Sequence, residues 1–285
     1  MILVVDSGST KADWLVASTD TSSQKYSTVG FNPYFHDENF ILNALNSHKD
    51  LSEIAYKVTN LYFYGAGCSS EDRIQIIKGA LKKIFINAKI EVDHDVFASV
   101  RATCGDEPGI ACILGTGSNS CYFDGINIHK NNYGLGFIMG DEGSGSYFGK
   151  KLITHYLYGI LPENLKIDFE QRYEITKEIM ITNVYNNSSA NVWLASFAKF
   201  MTEHKEDAWV VKTVTEGIEE FYDLFVCGYP NYKKLKTHFI GSIAFYFEDI
   251  IRMVGAKKEV TVGKIVRHPI NALAEYFLSK KINLK

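Results

Sequence analysis

One local pattern occurs twice in this sequence, and it limits the folds that are open to the chain. The segment "ILVVDSGSTKADWLVAS" is an apolar run, a turn of glycine and hydroxyl residues, and a second alternating run. About 109 residues later, "GIACILGTGSNSCYFDG" repeats that order. Each segment predicts two strands joined by a tight turn. Two such hairpins, each beginning a mixed α/β segment, predict an internally duplicated protein.

The first turn differs from two familiar phosphate-binding loops. Both the dinucleotide loop and the P-loop open a helix, whereas the residues after this turn, from Trp14 to Ala17, favour a strand. The turn is therefore predicted as a hairpin tip, whose N–H groups and hydroxyls can surround phosphate oxygens. Asp6 stands where it could hold a hydrated cation. A plain hairpin turn without a ligand is the alternative.

The order of the remaining segments predicts an α/β chain. The first hundred residues predict strand, strand, strand, helix, strand, helix, strand and helix, with "ENFILNALNSHKDL" and "EDRIQIIKGALKKIF" as helices. After the second hairpin, residues 143–226 are predicted to be mainly helical. The segments "THFIGSIAF" and "EVTVGKIV" predict strands, and "NALAEYFLSKK" predicts a final helix.

The composition bounds the class of protein. The 285 residues are 46% hydrophobic and 22% charged, which is typical of globular chains and enough for two domains. A net charge of −3 gives no reason to expect nucleic acid or an acidic membrane surface as a partner. No run approaches the roughly 18 apolar residues of a membrane span. With a strand beginning at Ile2, we expect neither a signal peptide nor an N-terminal DNA-binding module, and hence a cytoplasmic protein.

The cysteines and histidines do not predict a metal centre or a disulfide framework. The five cysteines are scattered and lack CxxC spacing, and the eight histidines form no HExxH pair. Such cysteines fit a reducing compartment, where they act as small buried residues.

Three motifs, in matching order, resemble a known group of proteins. "DSGSTKADW" resembles the first phosphate motif of the sugar kinase, actin and chaperone ATPase superfamily, and "LGTGSNS" resembles its second. "GLGFIMGDEGSGSYFG" is similar to the GWGHxxGDEGS pattern of the N-acetylglucosamine kinase family. The resemblance covers nearly the whole chain. It implies an α/β fold of two duplicated ribonuclease H-like (actin-like ATPase) domains with an interdomain cleft.

The repeat and the resemblance together predict the domain boundaries. The N-terminal lobe is expected at residues 1–107, with the C-terminal helix, 270–285, able to pack on it. The C-terminal lobe is expected at 108–285, with the helical insertion at about 143–226. No Pro-rich or low-complexity linker divides the two halves.

The resemblance also implies an activity and a nucleotide site. The activity is ATP-dependent phosphorylation of an amino sugar, with N-acetylglucosamine converted to its 6-phosphate as the leading expectation. Asp6 would hold Mg²⁺ through water. The ATP phosphates would contact the first turn, at Gly8, Ser9, Thr10 and Lys11, and the second turn, at Gly115, Thr116 and Gly117. Gly241 and Ser242 match the adenosine-binding turn.

A base and a sugar site are implied in the same way. Asp95 matches the aspartate that accepts the proton of the sugar hydroxyl, although from the sequence alone it could simply cap a helix. Asp93, on the same predicted strand face, is the competing base. The sugar-binding residues implied are Asn32, Gly67, Asp95, Gly136 and Asp141. Two of these could instead be structural, since Gly67 suits a plain turn and Asp141 could cap a helix that starts near Ser144.

Two departures from the family pattern leave the sugar open. Leu135 and Phe137 replace the tryptophan and histidine of GWGH, so glucosamine and N-acetylmuramic acid stay alternatives to N-acetylglucosamine. Relatives are often dimers, so the resemblance allows a homodimer.

Three other functions of related proteins compete with the kinase. An activator ATPase of a CoA-ester dehydratase or reductase would place cysteines around a shared iron–sulfur cluster, and Cys112 and Cys121 flank the second hairpin without that pattern. A sugar-sensing regulator would need a helix-turn-helix module. A repressor-type sugar kinase would need a zinc-binding cysteine cluster.

Overall fold

The structure is a computed structural model that describes residues 1–8, 11–17, 24–130, 134–187 and 189–283. The chain divides into two units: Met1–Asp106 together with His268–Lys285, and Glu107–Arg267. Each unit has its own apolar core. Trp14, Phe31 and Phe63 lie in the first core, and Phe148, Phe221 and Phe239 lie in the second.

In the described part of the first unit, five strands form one mixed sheet. They are β1 (Ile2–Ser7), β2 (Lys11–Ala17), β3 (Lys25–Val29), β4 (Asn60–Gly65) and β5 (Lys89–His94). Their order is β3-β2-β1-β4-β5. β1 is antiparallel to β2 and parallel to β4, and β4 is parallel to β5. The predicted first hairpin is therefore confirmed.

Helices cover this sheet. They are α1 (Glu38–Asn46), α2 (Lys49–Ile54), α3 (Glu71–Ile84) and α4 (Asp95–Thr103), with a short 3₁₀ helix at Ala55–Lys57. The C-terminal helix, Pro269–Asn283, packs on β2 and α4, and its Phe277 stacks on Tyr62 with ring centroids 3.7 Å apart. The stretch predicted as one helix at "ENFILNALNSHKDL" is two helices, because the His48 side chain accepts the Leu51 N–H and begins α2.

The described part of the second unit also holds a five-stranded sheet. Its strands are β6 (Gly109–Leu114), β7 (Ser118–Phe123), β8 (Ile128–Lys130), β9 (Lys236–Ile240) and β10 (Thr261–Val266). Their order is β10-β9-β6-β7-β8. Read from β8 to β10, this sheet has the same strand order and strand directions as the first sheet read from β3 to β5. The predicted duplication is confirmed; the short strand β8 was not predicted.

The helices of the second unit lie mostly between β8 and β9. They are α5 (Gly136–Met139), α6 (Gly145–Leu157), α7 (Glu163–Arg172), α8 (Lys177–Tyr185), α9 (Ala190–Ser196), α10 (Ala198–Glu203) and α11 (Ala208–Phe225). A short 3₁₀ helix at Tyr232–Lys234 precedes β9, and α12 (Ser242–Tyr246) and α13 (Glu248–Lys257) connect β9 to β10. Among the described residues, no helix combines the length and the apolar character that crossing a membrane requires.

The shared topology fixes where ligands can bind within each unit. In the first sheet the parallel strands β1, β4 and β5 end at one edge, and in the second sheet β6, β9 and β10 do so. Ligands of open α/β sheets bind beyond the carboxyl ends of such strands. The turns that follow these six strands hold most of the predicted site residues.

Candidate active site

Carboxylates gather at the carboxyl edge of the first sheet. Asp6, near the end of β1, pairs with Asp13 across the hairpin and with Tyr64 of β4. Burial, followed by the charges of Asp95 and Asp13, raises the pKa of Asp6 from 3.8 to about 7. Asp6 and Asp95 therefore share one electrostatic environment, and α4 packs against β1, β4 and β5.

Asp95 is the first residue of α4 rather than its cap. His94 is the N-cap, and its Nδ1 accepts the Val96 N–H at 3.3 Å. The capping alternative for Asp95 is therefore wrong, because strand β5 continues to His94 and the helix has already begun at the next residue. A carboxylate in the first turn still interacts favourably with the positive end of the helix dipole.

One oxygen of Asp95 lacks a hydrogen-bond donor. Asp95 Oδ1 is buried and accepts no hydrogen bond from any described residue. His94 Nδ1 lies 2.5 Å from this oxygen; in the neutral tautomer that accepts the Val96 N–H at 3.3 Å, this nitrogen has no proton to donate. Buried acceptors are nearly always satisfied in folded proteins, so this oxygen is suited to a donor that a ligand brings.

Asp93 has a different environment from that of Asp95. Its Oδ1 accepts the His94 N–H at 2.9 Å. The prediction that both aspartates share a strand face is wrong, because Asp93 lies within β5 and Asp95 lies in α4. Both carboxylates act on Cys68, whose thiol pKa burial and these two charges raise to about 12, so this thiol stays protonated.

Asn32 and Gly67, two predicted sugar-binding residues, are in direct contact. Asn32 is 6% exposed; its Oδ1 accepts the Tyr34 N–H at 3.0 Å, and its own N–H donates to His36 Nδ1 at 3.3 Å. Gly67 has φ = +82°, and a Cβ built there would lie 2.3 Å from Asn32 Oδ1. Gly67 is thus required for the position of the asparagine side chain as well as for the turn.

The Gly67→Ala variant tests this contact, and Gly105→Ala is its matched control. Both glycines have positive φ, but a Cβ at Gly105 would meet nothing within 4 Å. Each variant is expected to lose about 1–2 kcal/mol of stability from backbone strain. Only Gly67→Ala displaces Asn32, so only it is expected to raise the sugar KM, by about tenfold or more. Equal KM values in the two variants would show that Asn32 does not bind the sugar.

The two predicted phosphate turns are both held by backbone hydrogen bonds. In the first, the Gly8 N–H donates to Lys11 O at 2.9 Å, and Lys11 Nζ pairs with Asp13 at 2.7 Å. Ser9 and Thr10 lie outside the described residues. In the second, the Gly115 N–H donates to Gly117 O at 3.0 Å.

The second turn is also attached to the start of α6. Gly115 O and Thr116 O accept the Gly145 and Ser146 N–H groups at 2.8 and 3.0 Å. The position of this turn therefore depends on helix α6, which follows the GDEGSG segment. The sequence motif and the turn act as one structural element.

Asp141 contacts the second phosphate turn. Its backbone is left-handed, with φ = +59°, and its Oδ1 accepts the Ser118 N–H at 3.3 Å. Burial raises the pKa of its carboxyl. The capping alternative for Asp141 is wrong, because the Ser144 side chain accepts the Tyr147 N–H and caps α6. Gly136, with φ = +73°, begins α5, and a Cβ there would meet no atom within 4 Å.

A cavity of about 560 Å³ in the second unit brings together several of the predicted nucleotide-binding residues. Gly115, Thr116 and Ser242 line it. Gly241 has φ = +123°, and a Cβ there would lie 2.2 Å from Leu114 O, so the strand ends of β6 and β9 touch only because this residue is glycine. Tyr246 and Arg267 also line the cavity and were not predicted.

The predicted residues are divided between the two units. Asp6, Asn32, Gly67 and Asp95 belong to the first, and Gly115, Asp141 and Gly241 belong to the second. Arg267 could have been found from the repeat, because it directly follows the fifth strand of its sheet, as Asp95 does in the other.

A magnesium ion fits the carboxylates of the first unit. Burial, and then the charges of Asp95 and Asp13, disfavour ionisation of Asp6, and a cation there would oppose the effect of those charges. Among the described residues, no cluster of three or more Asp, Glu, His or Cys could hold a metal. Mg²⁺ needs no such cluster, since it usually binds one or two carboxylates, water and substrate phosphates.

The fold, with its predicted phosphate turns at the carboxyl edges of the two sheets, is that of a sugar kinase. A protein from Porphyromonas gingivalis, named as a candidate N-acetylglucosamine kinase, is 38% identical, with a TM-score of 0.92 over 99% of this chain and 100% of its own. This chain therefore belongs to the N-acetylglucosamine kinase family, whose members are ATP-dependent sugar kinases.

More distant structures share the fold alone. A candidate N-acetylglucosamine kinase from Chromobacterium violaceum is 14% identical, with a TM-score of 0.63 over 96% of this chain and 98% of its own. A candidate N-acetylmannosamine kinase from Listeria monocytogenes is 13% identical, with a TM-score of 0.51 over 98% and 99%. No protein-family model and no curated protein matches the sequence.

Proposed function

We propose that this chain transfers the γ-phosphoryl group of ATP to the 6-hydroxyl of N-acetylglucosamine. The name of the 38% identical Porphyromonas protein supports this substrate. The observation that carries the proposal is the buried Oδ1 of Asp95, which has no hydrogen-bond donor among the described residues and lies in the electrostatic environment of Asp6. This oxygen could accept a hydrogen bond from a sugar hydroxyl.

The proposed reaction assigns a task to each group of residues. Asp95 accepts the proton of the attacking hydroxyl as the phosphoryl group is transferred. Asn32, fixed by the Tyr34 N–H and by Gly67, hydrogen-bonds the sugar, and the family resemblance adds Gly136 and Asp141 as sugar-binding residues. The turns at Gly8–Lys11 and Gly115–Gly117 hold the phosphates through N–H groups and hydroxyls.

Asp6 would hold Mg²⁺ through water. When bound, the ion neutralises charge on the phosphates. The chain itself holds the Asp6 carboxylate near the end of β1. There, without a cation, the surroundings disfavour ionisation of this carboxyl group.

The sugar is the least constrained part of the proposal. Leu135 and Phe137 stand where the family has tryptophan and histidine, and Leu135 is 64% exposed. Glucosamine and N-acetylmuramic acid are therefore included with N-acetylglucosamine among the substrates to be compared.

We also propose a cytoplasmic location and a homodimer. Sedimentation of the purified protein would test the homodimer.

The activator ATPase is less well supported. Cys112 and Cys121 are both fully buried, within β6 and β7. A cluster shared between subunits requires thiols that reach a surface, and these side chains belong to the interior of the sheet.

A coupled assay of ADP release across a panel of amino sugars tests the proposed function. The panel holds N-acetylglucosamine, N-acetylmannosamine, glucosamine and N-acetylmuramic acid, each with Mg²⁺ and ATP. We expect kcat/KM to be highest for N-acetylglucosamine and ADP release without sugar to be negligible. Release that no sugar stimulates would refute the kinase, whereas stronger stimulation by another sugar would correct the substrate only.

A further inference from the structure

Arg267 is a cation that the proposed mechanism does not use. It directly follows β10 and lines the cavity that holds Gly115, Thr116 and Ser242. Its guanidinium lies over the Tyr246 ring at 5.0 Å and near the Phe245 ring at 5.9 Å. No carboxylate among the described residues forms an ion pair with it. Glu203, the acidic residue of the cavity, pairs instead with Arg172 and Lys199.

The strand order indicates which part of a nucleotide Arg267 would meet. The second sheet runs β10-β9-β6, so the strand ends present the Gly115–Gly117 turn, then Gly241–Ser242, then Arg267. Neighbouring strands are about 4.8 Å apart, which places the end of β10 about 10 Å from the end of β6. A nucleotide with its phosphates at Thr116 and its ribose near Ser242 would therefore extend its base toward Arg267.

The walls around Arg267 suit a flat aromatic ring. Ile243 and Tyr246 of α12, with Ala195 and Ala198 from the α9–α10 region, add apolar surface to the cavity. An arginine guanidinium is planar and weakly hydrated, and it stacks on aromatic faces. Held against Tyr246, it offers a preformed surface on which a purine can stack.

A β-bulge determines the face on which Arg267 lies. The pairing of β10 with β9 shifts by one residue between Val262 and Ile265, and a one-residue shift moves every later side chain to the opposite face. His238 Nδ1 accepts the Lys264 N–H at 2.9 Å. Arg252 donates to the carbonyls of Val262 and Gly263, both at 3.3 Å.

The glycine of the bulge has no room for a side chain. A Cβ at Gly263 would lie 2.6 Å from the His238 ring. Burial, together with the charges of Lys264 and Lys236, lowers the pKa of His238 to about 4, so at neutral pH its Nδ1 is free to accept. Bulges often redirect side chains beside functional sites.

We propose that Arg267 is a nucleotide-binding residue whose guanidinium, held against Tyr246, stacks on the purine base of ATP. The inference rests on the proposed kinase function, since it takes the phosphates to lie at the Gly115–Gly117 turn. It adds a residue on which nucleotide affinity depends and a bulge that positions it.

Binding measurements with three probes test the proposal. ATP, adenosine and inorganic tripolyphosphate are titrated, with Mg²⁺, into wild type, Arg267→Ala, Arg267→Lys and the control Lys264→Ala. Lys264 has an exposed side chain on the same strand, and alanine keeps the backbone N–H that His238 accepts. We expect Arg267→Ala to bind both ATP and adenosine about tenfold more weakly and tripolyphosphate unchanged. Lysine keeps the charge but not the planar group, so Arg267→Lys should not restore affinity, and Lys264→Ala should bind like wild type.

Other outcomes separate the possible failures. Unchanged adenosine binding in Arg267→Ala, with ATP affinity restored by lysine, would mean that Arg267 contacts phosphate and would overturn base stacking. Wild-type affinity for all three probes in Arg267→Ala would remove the residue from the site. Failure of wild type to bind ATP would instead overturn the proposed function, and the stacking proposal with it. Equal melting temperatures of wild type and both Arg267 variants exclude misfolding as the cause of weaker binding.

Discussion

The Asp95→Asn variant is expected to turn over about 10²–10⁴-fold more slowly than wild type, the usual contribution of a positioned general base. Asparagine has nearly the same size and can still accept a hydroxyl hydrogen bond through its Oδ1, so the sugar KM should change far less. The helix should lose only the favourable charge in its first turn, about 0.3–1 kcal/mol, because His94 rather than Asp95 caps α4. Turnover, sugar KM and melting temperature are measured together.

Asp93→Asn is the matched control for this prediction. It removes a carboxylate two residues away, whose Oδ1 accepts the His94 N–H, and the amide oxygen can keep that bond. We expect its turnover to stay within a few-fold of wild type. An inactive Asp93→Asn with an active Asp95→Asn would move the base to Asp93. Normal turnover in both would remove the carboxylate base from the mechanism.

Much of the fold could be predicted because the sequences of two similar hairpins reveal its duplication. The runs around Asp6 and Gly115 each have strand periodicity on both sides of a glycine turn, and the shared strand order follows from repeating the same connections. The family resemblance assigned Asn32 and Gly67 to the sugar site, but it did not predict that they touch each other. They lie in different loops, and a single sequence does not indicate which loops meet.

The features that were mispredicted depend on single residues at element ends. His94 and Ser144 cap their helices in place of Asp95 and Asp141. When a strand continues one residue further than expected, the N-cap of the following helix also moves by one residue. Hydrophobic periodicity does not determine the residue at which a strand ends. The bulge in β10 was missed for a similar reason, since it is held by a buried histidine on the neighbouring strand.

Asp6→Asn is expected to change activity and stability in opposite directions. Turnover with Mg²⁺ and ATP should fall by about 10²-fold or more, because the amide carries no charge to hold the hydrated ion beside the phosphates. Without Mg²⁺ and nucleotide, the variant should be more stable than wild type at pH 8. Burial and the charges of Asp95 and Asp13 disfavour the Asp6 carboxylate, and the amide is free of that repulsion.

The pH dependence gives this prediction its sign. The pKa of Asp6 is raised from 3.8 to about 7 in the folded chain, so between these values the folded state binds more protons than the unfolded state. The contribution of Asp6 to stability therefore falls as pH rises from about 4 to about 7. The stability gain of Asp6→Asn should be near zero at pH 4 and rise with pH toward an upper limit of about 4 kcal/mol at pH 8.

Urea unfolding of wild type and variant at both pH values, without Mg²⁺, measures this gain. Asp13→Asn is the control, because its carboxylate pairs with Lys11 at 2.7 Å and has no proposed contact with the ion. It should keep near-normal turnover and show a smaller change in stability. If Asp6→Asn were inactive but less stable than wild type at pH 8, Asp6 would be a structural residue and its loss of activity would say nothing about Mg²⁺. If it were active, the ion would be held elsewhere. Only inactivity together with a stability gain that grows with pH supports a carboxylate kept at the end of β1 for a cation.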